Sequence, residues 1–75
     1  MMNWKSYRPE RTLERVGVVK VHSADGARFY FYIYEDIEGS ALLEVADESG
    51  MEALLEVEFS SAVRAKHAAE TLDEE

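Results

Sequence analysis

Seventy-five residues make at most one domain, 47% hydrophobic, with a net charge of −8. That hydrophobic content is too high for a disordered chain of this charge. The absence of cysteine excludes disulfides and thiolate metal sites, and no apolar run approaches a membrane span.

The charge is unevenly spread. Residues 1–15 hold four bases against two acids, a balance of +2, which leaves −10 for residues 16–75. Between Phe29 and Val63 there is no Lys or Arg, while nine Asp and Glu fall in the same interval. A one-sign field of this kind repels nucleic acid and attracts basic surfaces. The first residues, Met1-Met2-Asn3-Trp4-Lys5, lack the apolar segment of a signal peptide, so a soluble, cytoplasmic protein is expected.

Residues 1–14 read as a basic, aromatic arm, or as one short helix with Pro9 in its first turn. Residues 15–75 read as a single α+β domain. Its first hairpin joins a strand over 15–22 to a strand over 27–34, both alternating and rich in β-branched or aromatic residues. A two-residue Asp25-Gly26 turn sets Val19 and Val21 beside Tyr30 and Tyr32. A three-residue turn with Gly26 left-handed sets them beside Phe29, Phe31 and Ile33. The second choice gives one clean apolar face and is preferred.

The second hairpin joins a strand over 41–46 to one over 51–59, with Gly50 closing the turn. Ala41, Leu43, Val45, Met51, Ala53, Leu55, Val57 and Phe59 then share a face, with Leu43 opposite Leu55 and Val45 opposite Ala53. Residues 35–40 join the hairpins, and Gly39 permits the bend. Ser60 or Ser61 caps a closing helix whose stripe is Ala62, Ala65, Ala69 and Leu72. The expected fold is a four-stranded antiparallel meander with one C-terminal helix packed on one face.

A single helix covers one face only. The opposite face is expected to present Tyr30, Tyr32 and Tyr34 with Glu44, Glu52, Glu56 and Glu58, besides Val16, Val18, Lys20 and His22 of the first strand. Tyrosine gives rigid amphipathic contact area and is enriched at interfaces. Same-face carboxylates recur every ~6.8 Å along a strand, so they form a row of negative charge. The expected function is therefore a small protein-binding module or inhibitor. Its partner is a basic surface on a larger protein, within a nucleic-acid-handling complex in the sharpest version. In type the chain is similar to short, acidic, cysteine-free phage proteins that block host defence nucleases, the anti-CRISPR-like DNA mimics.

Two alternatives accompany this reading. The same face can be buried in a homodimer or accessory subunit, with Leu42, Leu54, Val16 and Val18 at its centre. Or the arm, through Trp4, Tyr7, Lys5, Arg8 and Arg11, can stack on single-stranded nucleic acid, which the −10 body opposes; the arm then pairs more readily with an acidic face, its own or a second copy's.

No catalytic, cofactor or metal site is expected. Ser60 and Ser61 are explained as a cap, and His67 falls on the exposed side of the helix. The glycine-containing turns lack the ligand spacing of calcium loops. His22 reads as a surface residue at a strand end.

Overall fold

The computed structural model describes residues 2–8, 17–47 and 53–74. It shows an antiparallel sheet with a C-terminal helix, but the sheet has five strands rather than four. In chain order they are β1 (Lys5–Tyr7), β2 (Val18–Asp25), β3 (Tyr30–Asp36), β4 (Ala41–Ala46) and β5 (Ala53–Phe59), followed by α1 (Ala62–Glu74). They lie side by side in that order, each antiparallel to the next. The added strand comes from the basic segment. It is short and polar, without the alternation that marks the others, and it is held by pairing with β2.

α1 begins where Ser61 caps it: the Ser61 hydroxyl oxygen accepts a hydrogen bond from the Arg64 amide at 3.3 Å. Its apolar stripe meets the sheet through Ala65 and Ala69, both fully buried. Alanine lets the helix lie close, and Phe31 and Ile33 supply the bulk, also fully buried. Each such large apolar side chain contributes roughly 1.5–3 kcal/mol by leaving water. α1 lies over β3 and β4 and reaches β5 less. Trp4 closes one side of the core; its indole N–H donates to Glu70 at 3.2 Å, and Lys66 sits 5.8 Å above the ring.

The first hairpin departs from expectation. The connection is a four-residue loop, 26–29, and the register sets Val21 opposite Tyr34 and His22 opposite Ile33. The side chains therefore alternate in the sense that the preferred three-residue turn excludes. Val21 shares a face with the tyrosines, while His22 and Ala24 face the helix beside Ile33 and Phe31. Lys20, opposite Glu35, also lies on the helix side; a bulge between Val18 and Lys20 returns Val18 to the tyrosine side, opposite Asp36.

Gly26 is not left-handed; among the described residues the positive-φ positions are Gly17 and Gly39. Gly26 is needed because the chain passes close to others. A Cβ there would come within 2.6 Å of the Phe31 ring and would collide with the Asp73 carboxylate, which accepts from the Ala27 amide at 2.7 Å.

The second hairpin has the expected faces. Leu43 stands opposite Val57 and Val45 opposite Leu55, so the register is shifted by two residues and Leu55–Phe59 keep their sides, whereas Ala53, expected opposite Val45, changes side. A bulge near Leu54 then brings Ala53 opposite Ala46. Between the hairpins, Gly39 takes φ 92°, and one Asp36 carboxylate oxygen accepts from the amides of Glu38 and Ser40 at 2.9 and 3.0 Å.

Candidate functional site

The face away from α1 is built from cross-strand rows. One runs Tyr7, Val21, Tyr34, Leu42, Glu58 from β1 to β5. The next runs Lys5, Ser23, Tyr32, Glu44, Glu56, and a third holds Asp25, Tyr30 and Ala46. Both full rows change character in the same direction. A basic or aromatic residue stands at β1, tyrosine at the centre, and glutamate at β5. Tyr30, Tyr32, Tyr34, Glu44, Glu56 and Glu58 are thus brought onto one face; Glu52 and Val16 lie outside the described residues. Lys20 and His22, expected here, are on the helix side because of the first hairpin's register.

The tyrosine half is partly closed. Val21 is 1% exposed although the helix lies on the other side, and Tyr7 and Tyr34 flank it. Tyr32 stands at the centre. Its pKa is raised above the ordinary 10.0, first by burial, then by Tyr7, Asp25, Glu44 and Tyr30 around it. Its hydroxyl keeps its proton at neutral pH and remains both donor and acceptor. The glutamate half is open: Glu56 and Glu58 are exposed, and Glu44 stands opposite Glu56 on β4. These three acids form a corner of the sheet rather than a long row. A shallow groove of about 590 Å³ runs along this end, lined by Val18, Tyr34, Leu42 and Phe59 with Asp36 and Glu58.

No family model, characterised protein or solved structure matches this chain. Its site stands on its own geometry.

The structure also holds a polar cluster that the sequence reading missed. His22 is only 4% exposed. Its Nδ1 lies 2.7 Å from the Ser6 hydroxyl oxygen and its Nε2 lies 2.9 Å from a Glu35 carboxylate oxygen. A carboxylate can only accept, so Nε2 carries a hydrogen, and in the neutral ring Nδ1 accepts from Ser6. The chain Ser6, His22, Glu35 ties β1, β2 and β3 together on the helix side. Its sequence signal is weak: a histidine within an alternating strand. Hydroxyl, imidazole and carboxylate in this order are the parts of a nucleophilic relay. Here they sit on three neighbouring strands, with the hydroxyl and the carboxylate each hydrogen-bonded to the ring.

The remaining sequence candidates fall as follows. Ser61 is the helix cap, and His67 is exposed on α1. Among the described residues no three His, Asp or Glu side chains are grouped to hold a metal. Trp4 is committed to α1, at the sheet edge remote from the acidic corner, so this part of the arm does not pair with the acidic face of its own chain. Among the described residues no helix is long and apolar enough to cross a membrane.

Proposed function

We propose that this protein is a binding module whose tyrosine and glutamate face takes a basic surface on a larger protein. The observation that carries the reading is the pair of rows ending in Glu56 and Glu58, with protonated Tyr32 at the centre of a face that the helix leaves uncovered. Glutamates at the rim steer a basic partner and fix its orientation. The tyrosines supply contact area with little rotamer entropy to lose.

A nucleic-acid mimic of the anti-CRISPR type is the special case in which the basic surface is itself a nucleic-acid groove. The composition supports it; the compact corner of acids supports the general reading more directly than a tracked phosphate backbone.

The test is affinity capture from the natural host at low and high salt, beside a Glu44→Lys/Glu56→Lys/Glu58→Lys variant shown to be folded by circular dichroism. The expected result is a partner retained at low salt, released at high salt and lost in the variant. Release by a duplex oligonucleotide identifies the mimic. Recovery of the protein alone, at both salts and from both forms, overturns the reading in favour of a homodimer.

A further inference from the structure

The two edges of the sheet are defended differently. β1 is short, polar and carries Lys5, all of which discourage further pairing. β5 runs for seven residues, Ala-Leu-Leu-Glu-Val-Glu-Phe, without Lys, Arg or Pro. Among the described residues no strand pairs with its outer edge. Because α1 sits over β3 and β4, the helix-side residues of β5 are left partly bare: Leu55 is 48% and Val57 37% exposed. On the other side Glu56 and Glu58 are exposed.

We propose that β5 accepts an extended segment of another protein as a sixth strand, with Lys or Arg facing Glu56 and Glu58 and apolar residues facing Leu55 and Val57. Residues directly opposite in adjacent strands lie on the same face, so an incoming segment must alternate in step with β5. Basic side chains on one side and apolar ones on the other satisfy that demand. Backbone bonds to the edge supply affinity and the alternate side chains supply specificity.

A second copy fits this edge less well. Antiparallel pairing of β5 with itself about Glu56 sets that residue against its own twin. Pairing about Val57 sets Glu56 against Glu58 twice. Pairing about Leu55 uses only the strand's first five residues and leaves Glu58 unmatched. Like charges directly opposite are destabilising. The inference rests on the basic-partner reading above and adds the mode of attachment.

The test uses a synthetic peptide, acetyl-Thr-Lys-Val-Lys-Val-Lys-Thr-amide, beside its glutamate counterpart and a version methylated on alternate backbone nitrogens. Binding is followed by NMR shifts and amide exchange of the whole protein. The lysine peptide is expected to bind at least about tenfold tighter than the glutamate one, from the reversal of two or more cross-strand charge pairs. It should slow exchange within Ala53–Phe59 and fail when methylated. A Glu56→Lys/Glu58→Lys variant should reverse the preference.

Salt-sensitive binding that the variant abolishes, but with exchange in β5 unchanged and methylation without effect, overturns strand addition and leaves the acidic face standing. Equal binding of lysine and glutamate peptides along β5 overturns the basic partner. Protection of β5 that rises with protein concentration in the absence of peptide assigns the edge to a second copy. No binding of the lysine peptide at millimolar concentration also overturns the proposal.

Discussion

Replacing His22 with alanine tests the buried tie between the first three strands. His22 is 4% exposed, and its ring makes two hydrogen bonds, at 2.7 and 2.9 Å. Each bond contributes about 0.5–1.5 kcal/mol net, the one to Ser6 at the lower end because that residue is exposed. Ser6 and Glu35 both reach solvent, so water can satisfy them once the ring is gone. The packing of a partly polar ring adds about 1–2 kcal/mol, below the usual cost of truncating a large apolar side chain. The total is about 2–4 kcal/mol, a large share of the ~4–11 kcal/mol usual for a domain of this size. Each kcal/mol lowers the midpoint by about 4–8 °C in so small a domain. Urea unfolding should be followed by circular dichroism and by fluorescence of Trp4, the chain's single tryptophan, which reports the docking of the segment leading into β1. A loss below about 1 kcal/mol with an unchanged urea slope would refute the tie through His22.

Three other outcomes follow from the packing. Ala69→Leu should destabilise by about 1–3 kcal/mol because the helix lies too close to admit the branch, whereas Val63→Lys, at a site 77% exposed, should change stability little in the same urea assay. Gly26→Ala should destabilise through collision with Phe31 and Asp73, and the crowding should ease in the double variant with Asp73→Ala; Gly39→Ala, with open space but φ 92°, should cost about 1 kcal/mol through backbone strain alone. Tyr32 should ionise above its ordinary 10.0 in an ultraviolet titration, and Glu44→Gln should lower its pKa by removing one of the charges that raise it. Since the folded-state pKa is the higher one, this contribution to stability is complete below pH 10.0 and is lost as pH rises through the folded value, which alkaline unfolding with and without Tyr32→Phe measures.

The helix and the second hairpin were readable because their signals agree. Ala62, Ala65, Ala69 and Leu72 keep one helical stripe, and a serine precedes it. In the second hairpin a register error of two residues leaves the faces of Leu55–Phe59 intact, so Leu43, Val45, Val57 and Phe59 could be placed without knowing the turn; only Ala53, beyond the bulge, was put on the wrong side. The first hairpin had no such tolerance. Val19 and Val21 alternate with Lys20 and His22, and hydropathy favours burying the valines with Phe31. The structure puts His22 on that side, where Ser6 and Glu35 satisfy both ring nitrogens, and buries Val21 on the other side among the tyrosines. That pairing depends on β1, a strand of three polar residues with no pattern to announce it. Tyr30, Tyr32, Tyr34, Glu44, Glu56 and Glu58 do share one side of the sheet, because their parity was independent of that error.

The closure of the core by Ala65 and Ala69 also sets an order in time. Phe31 and Ile33 belong to the meander, but their cover by Ala65 and Ala69 is made some thirty to forty residues later. At ordinary elongation rates the interval from Phe31 to Ala69 takes roughly 2–8 s to synthesise. Until α1 has followed the sheet out of the ribosome, the side that bears Phe31 lacks its cover. An attached chain arrested before α1 emerges should therefore recruit a holdase, and one arrested well beyond Glu74 should release it.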